Sequence, residues 1–235
     1  MRSVRTTTVR TLAKVSWMLT VLGAAALLPA GESDPRRWAG EIGRFEEWDG
    51  KNSTPEDAVL FLGSSSIRMW ATSDYFPYLP VINRGFGGAH ISDVLHYLER
   101  IVTPYRPRVI VFYAGDNDIA AGKPPQRVAA DYRSFVKHVH QELPETRIIF
   151  IPIKPSLKRW TFWPRMKEAN AAIRHFTEQD RRLLFADTVT SALGDDGKPR
   201  PELFIKDGLH LSAEGYRLWA EALIPVIDGA LQTEL

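Results

Sequence analysis

Beyond residue 55 the hydrophobic positions fall into two alternating kinds of run. One kind is short and unbroken: Ala58 to Leu62, Val81 with Ile82, Val109 to Tyr113, Ile148 to Ile153, and Leu183 to Ala186. Apolar stretches of this length without polar alternation suit strands covered on both faces. The other kind recurs every three or four residues, as one face of a helix does. Ile91, Val94, Leu95, Leu98, Ile101 and Val102 form one such stripe, closed by Pro104 and Pro107. Val128, Tyr132, Phe135, Val136 and Val139 form the next, ended by Pro144. Met166, Ala169, Ile173 and Phe176 mark a third helix, and Tyr216, Trp219, Ala220, Leu223 and Ile227 mark the last. Parallel neighbours in a sheet can be joined only by a crossover, so strands and helices in alternation call for a parallel sheet with helices on both faces. The fold expected is α/β, a three-layer α/β/α sandwich around a five-stranded parallel sheet, with strand order 2-1-3-4-5.

The pattern changes upstream. Gly31 to Arg36 reads as a polar linker, and Trp38 to Trp48 as an amphipathic lead-in helix with Trp38, Ile42, Phe45 and Trp48 on one side; together they make residues 31–55 a prelude to a domain at 56–235. Residues 1–30 are different again. Arg2, Arg5, Arg10 and Lys14 precede the apolar run Val15 to Leu28, with small residues at Ala24 to Ala26 and at Ala30. This is the layout of a signal peptide, and it predicts export to a secreted or periplasmic location. The run is shorter than the ~20 residues of a membrane span, which leaves an uncleaved anchor as the alternative reading and a mitochondrial transit peptide as the third.

Charge sharpens this picture. The net charge of +2 comes from the leader, since the chain without its first 30 residues carries 26 basic against 28 acidic side chains. A body so near neutrality offers no footprint for nucleic acid, and contact with a membrane would come only through an uncleaved N-terminal segment. The chain has no cysteine, which removes disulfides, thiolate metal sites, a cysteine nucleophile and a lipoprotein anchor.

Three polar strings follow the ends of expected strands: Gly63-Ser64-Ser65, Gly115-Asp116-Asn117-Asp118, and Asp207-Gly208-Leu209-His210 before the last helix. Acyl transfer needs a nucleophile, donors for an oxyanion and a group to move the proton. In an open parallel sheet, ligands bind beyond the carboxyl ends of the strands, where the strand order reverses. Ser65 follows the first strand and Asn117 the third, so both belong on that rim. Gly88, in the Asn83-Arg84-Gly85-Phe86-Gly87-Gly88 loop after the second strand, leads into a helix whose free amides can meet negative charge. Asp207 and His210, three residues apart around a glycine turn, can share one side of their loop, the carboxylate orienting the imidazole and the imidazole serving as base.

These blocks resemble those of the SGNH hydrolases, also called GDSL esterases and lipases, from about Phe61 to Leu211. The resemblance implies a flavodoxin-like α/β/α sandwich and a serine ester hydrolase that needs no cofactor. By it Ser65 is the nucleophile, Asp207 and His210 complete a triad, and Gly88 and Asn117 join the Ser65 amide in the oxyanion hole. One departure stands out: the family's first block usually has Asp where this chain has Ser64, and Ser66 replaces a common hydrophobic residue. Spacing from Gly63 selects Ser65 among the three serines, and Ser64 is expected to bond the loop backbone as the Asp would. The absence of a GxSxG elbow argues against the common α/β-hydrolase fold.

Other conspicuous residues receive plainer readings. Trp160 and Trp163, with Phe162, follow the fourth strand and could stack on a sugar or acyl group, or else pack their loop onto the next helix. His90, His96, His138, His140 and His175 have no ligand spacing and read as surface or packing residues. Arg68 and Lys154 could meet an anionic substrate; a surface role is expected for both. The function predicted is hydrolysis of a small-molecule or glycan ester, with a short acyl group such as acetyl favoured. Two alternatives use the same residues differently. A metal-dependent phosphoesterase would take Asp116, Asp118, Asp207 and His210 as ligands; a carbohydrate-binding envelope protein would keep the scaffold without turnover.

Overall fold

The computed structural model describes residues 34–232. The leader at residues 1–30, and the export or anchoring expected of it, lies outside the described residues. Among the described residues no helix is long and apolar enough to cross a membrane.

Five strands, β1 (Val59–Gly63), β2 (Val81–Gly85), β3 (Val109–Tyr113), β4 (Arg147–Phe150) and β5 (Leu183–Phe185), form one parallel sheet in the order β2-β1-β3-β4-β5. This is the expected order, with its reversal between β1 and β3. The helices in chain order are α1 (Ala39–Asp49), α2 (Ser65–Arg68), α3 (Thr72–Tyr75), α4 (Ile91–His96), α5 (Leu98–Ile101), α6 (Asp116–Ala120), α7 (Pro125–Glu142), α8 (Trp163–Thr177) and α9 (Ala213–Gln232).

Side chains alternate across a strand, so each central strand feeds two cores. Leu60, Leu62, Ile110, Phe112, Ile148 and Phe150 point to the side covered by α1, α4, α5, α7 and α8. Val59, Phe61, Val109, Val111, Tyr113 and Ile149 point to the other, covered by Trp70, Phe76 and the stripe Tyr216, Trp219, Leu223 and Ile227 of α9. Burial on both faces is why these strands lack polar alternation.

Three expected elements end differently. The apolar run from Ile148 to Ile153 stops being a strand at Phe150, because β5 pairs only as far as Phe150. The Asn170 side chain of α8 then takes the place of a neighbouring strand: its Oδ1 accepts from Ile153 N (2.8 Å) and its Nδ2 donates to Ile153 O (2.9 Å), so the buried backbone stays paired. The single helix expected over Ile91 to Val102 bends at Tyr97, whose hydroxyl donates to Pro35 O at 2.8 Å, leaving the short α4 and α5. On α1, Ile42 is buried and Phe45 packs on the core, as does Trp38 just before the helix, but Trp48 is 60% exposed. The apolar surface ends at Phe45, over which the Arg84 guanidinium sits at 5.1 Å, and Arg84 pairs with Asp49 at the end of the helix.

Candidate active site

The turn that carries Ser65 begins where β1 runs out. Gly63 has φ +139°, a conformation closed to L side chains, and a Cβ there would overlap the Tyr113 carbonyl of β3. Ser64 N donates to that same carbonyl (3.0 Å), and Ser64 O accepts from Ile67 N and Arg68 N, which starts α2. Ser65 is therefore the first residue of a helix, and its N–H has no intrahelical acceptor. The Ser64 hydroxyl departs from expectation: it is buried and bonds nothing, the backbone of Ser64 having taken over the turn contacts expected of its side chain.

His210 Nε2 lies 2.9 Å from Ser65 Oγ, and His210 Nδ1 lies 2.6 Å from Asp207 Oδ2. The carboxylate is itself held by its own loop, since Asp207 Oδ1 accepts from Leu209 N and His210 N, both at 2.9 Å. Partial burial pushes the Asp207 pKa up, but the His210 ring and these two amides outweigh it and bring it down to about 2. A carboxylate ionised throughout the ordinary pH range accepts from Nδ1–H, which leaves Nε2 as the acceptor for the Ser65 hydroxyl. The α9 end of the loop is tied to the turn that carries Ser65, for the Tyr216 hydroxyl donates to Ser66 O at 2.8 Å.

Opposite lies Asn117 on α6. Its Nδ2 donates to Ala89 O (3.1 Å), one residue beyond Gly88, while its Oδ1 accepts from Arg159 Nη2 (2.9 Å). The structure thus brings Asn117 against the loop that carries Gly88, and Ser65 against His210 and Asp207.

Below this rim sits a charged cluster that the sequence reading did not anticipate. Lys154, expected at the surface, is 2% exposed: its ammonium donates to Ser66 Oγ (3.0 Å) and Tyr113 Oη (2.9 Å) and lies 3.6 Å from Asp116 Oδ2. It follows directly on the buried strand extension that Asn170 holds, so the backbone carries it inward. Arg159 Nη1 is 2.8 Å from the same Asp116 oxygen. Burial raises the Asp116 pKa, but Lys154 and Arg159 outweigh this and lower it; burial lowers that of Lys154 against the pull of Asp116. Asp118 belongs to another pair. It lies 3.2 Å from Lys123 Nζ and accepts from Ile91 N, and burial pushes its pKa up to about 7 despite the lysine. Asp116 and Asp118, considered above as metal ligands, thus face separate cations. Among the described residues no three His, Cys, Asp or Glu side chains are grouped to hold a metal ion. Arg68 is half exposed and reaches Glu41 at 3.6 Å.

The two tryptophans part company. Trp163 is largely buried, stacked on Trp160 (6.1 Å between centroids, 18° between planes), and lines a cavity of about 500 Å³ with Pro152, Asn170 and Phe185. Trp160 is half-buried and lines a cavity of about 310 Å³ with Leu157, Pro199, Arg200 and Pro201.

The profile of the GDSL-like lipase/acylhydrolase family matches residues 67–218, a span that starts just after Ser65 and takes in Gly88, Asn117, Asp207 and His210. The chain belongs to the GDSL-like lipase/acylhydrolase family. It is a serine ester hydrolase by that membership. The isoamyl acetate-hydrolyzing esterase of Saccharomyces cerevisiae is 20% identical over 171 residues, covering 66% of this chain and 72% of the yeast enzyme. The fold is shared with a GDSL-like lipase from Bacteroides thetaiotaomicron, at a TM-score of 0.67 and 20% identity over 84% of this chain and 98% of that one. It is shared also with a catalytic mutant of an acetylxylan esterase from Geobacillus stearothermophilus, at a TM-score of 0.60 and 17% identity over 76% and 95% of the two chains. Arg159 had no signal in the sequence. For Lys154, a lysine set immediately after an apolar run at a strand end was the available hint.

Proposed function

We propose that this hydrolase cleaves short-chain carboxylic esters through a Ser65–His210–Asp207 triad. The observation that carries the proposal is the unbroken line from Ser65 Oγ to His210 Nε2 (2.9 Å) and from Nδ1 to Asp207 (2.6 Å). Ser65 Oγ attacks the ester carbonyl as Nε2 takes its proton. The negative charge that develops on the carbonyl oxygen is met by the Ser65 and Gly88 N–H groups and the second N–H of Asn117 Nδ2, the first being spent on Ala89 O. Collapse of the tetrahedral intermediate breaks the ester C–O bond, and the imidazolium returns the proton to the departing alcohol. A water deprotonated by His210 then attacks the acyl-enzyme and releases the acid and Ser65.

For the substrate, two things favour an acetyl or similarly small acyl group on a small molecule or glycan. One relative acts on isoamyl acetate and one structural neighbour is an acetylxylan esterase, by their names. The apolar cavity of Leu157, Trp160, Pro199 and Pro201 lies beside the triad loop, since Lys158 N donates to Gly208 O at 2.9 Å; it would seat the alcohol or sugar portion. Fluorophosphonate labelling with peptide mapping should place the adduct on Ser65, and Ser65→Ala should lose several orders of magnitude in kcat on p-nitrophenyl acetate. Full turnover in Ser65→Ala would refute the triad; faster hydrolysis of long-chain esters than of acetate would refute the short-acyl reading.

A further inference from the structure

The orientation of a side-chain amide is decided by its neighbours, because its oxygen only accepts and its nitrogen only donates. At Asn117 both neighbours are unambiguous. Arg159 has donors alone, so the atom 2.9 Å from its Nη2 is the oxygen; Ala89 O is an acceptor alone, so the atom 3.1 Å from it is the nitrogen. Arg159 is in turn fixed by its other arm, Nη1, at 2.8 Å from Asp116 Oδ2, a carboxylate 6% exposed that also faces Lys154. The guanidinium therefore hydrogen-bonds Asn117 through Nη2, while Nη1 sits beside Asp116 as an ion pair without hydrogen-bond geometry; a lysine carries the charge but not this flat, laterally placed N–H. Its own segment is anchored as well, for the preceding Lys158 N–H is bonded to Gly208 O in the triad loop.

Resting on the triad and oxyanion reading above, we propose that Arg159 is a positioning residue for the oxyanion hole. It holds the Asn117 amide with its nitrogen, and not its oxygen, toward the developing charge. Without Arg159 the amide keeps only the Ala89 bond and can rotate about its last torsion, so that the second N–H is no longer fixed where the oxyanion forms. Because the donor is needed only when charge develops, the loss falls on kcat and not on KM. Asp116 and Lys154 act one step further back, as the base on which the guanidinium is braced.

The test is a double-mutant cycle on p-nitrophenyl acetate hydrolysis. Arg159→Met should lower kcat by about 10- to 100-fold with KM within about twofold, and Asn117→Ala by about 10²- to 10³-fold. In the Asn117→Ala background, Arg159→Met should cost no more than about threefold, since the group it positions is gone. Arg159→Lys, which keeps the charge but not the Nη2–H that reaches Asn117, should behave as Arg159→Met does, and it replaces that variant in the cycle if Arg159→Met fails to give a cooperative thermal transition. An equal loss in both backgrounds, a raised KM with kcat unchanged, or full kcat in Arg159→Lys would each overturn the proposal while leaving the triad untouched. Undiminished turnover in Asn117→Ala would overturn it together with the oxyanion reading.

Discussion

Replacing Lys154 by Met tests whether the charged cluster beneath the nucleophile holds the fold together. Met has nearly the same length, no branch and no charge, so it can lie along the same path. Three changes follow. The bonds from the ammonium to Ser66 Oγ (3.0 Å) and Tyr113 Oη (2.9 Å) vanish, each charged bond being worth about 1.5–3 kcal/mol. Against this, the cost of keeping an ammonium out of water, several kcal/mol in a real interior, is no longer incurred. Finally, Asp116 loses one of its two cations and keeps Arg159 at 2.8 Å, while its Oδ1 has no hydrogen-bond partner in either case. Stranding a buried charge completely costs about 3–5 kcal/mol; with Arg159 retained, a loss of about 2–3 kcal/mol is expected. Urea unfolding followed by circular dichroism measures it through the shift in midpoint at unchanged slope. A loss under about 1 kcal/mol, or a gain, would show that the cluster returns no more than its burial costs and would refute its structural role.

Two further outcomes are expected. Asp207→Asn should lower kcat by about 10³- to 10⁴-fold, as expected when an imidazole loses the group that fixes its tautomer. It should also change the pH dependence of stability: the Asp207 pKa falls from 3.8 to about 2 on folding, so its contribution is complete above about pH 4 and fades as pH drops toward 2. The gap in unfolding midpoint between wild type and Asp207→Asn should close over that window, and a gap that stays constant there would contradict the assignment. Gly63→Ala forces a Cβ into the Tyr113 carbonyl at φ +139° and should abolish the cooperative unfolding transition; a folded, active Gly63→Ala enzyme would show that the turn tolerates what its backbone forbids.

The sheet was legible because its signal is local. β3 spans Val109–Tyr113, as its apolar run predicts, and the order β2-β1-β3-β4-β5 is the one assumed from crossover logic together with the fold class. Where neighbours set the limits, the pattern misled. Ile151 to Ile153 read as strand although Asn170 of α8, and not a neighbouring strand, pairs Ile153. Trp48 read as core because helical spacing places it under α1, yet the core ends one turn earlier at Phe45. The site divides the same way. Ser65 and Asn117 stand in motifs just beyond β1 and β3, whereas Asp207 and His210, expected at a strand end, lie in a loop before α9 well beyond the end of β5 at Phe185; the family resemblance of these blocks is what named all four. Arg159 and Lys154 sit in no motif; what gives them partners is the path of the chain after β4, which brings residues 154–159 under Ser66, beside Asn117 and against Gly208.

That path bears on how the halves of the site keep their register. Ser65 and His210 are 145 residues apart in sequence, and their 2.9 Å contact is only as good as the ties between the elements that carry them. One tie is α9, whose Tyr216 donates to Ser66 O and stacks on Trp70 at 5.3 Å, so that the helix following His210 is seated on the turn following Ser65. The other is the segment after β4: Lys158 N grips the triad loop at Gly208 O, and its neighbour Arg159 grips Asn117. A displacement of this segment would disturb the His210 loop and Asn117 together relative to Ser65, whose turn is tied to β3 through Ser64 N and Tyr113 O. Buried hydrogen-bonded charge is costly to assemble but stiff once complete, and a site that needs sub-ångström placement of three groups from distant stretches of chain gains from that stiffness where an apolar contact would allow sliding. Placing Lys154, Asp116 and Arg159 beneath Ser66 and Asn117 therefore supplies rigidity where the proposed chemistry tolerates least motion.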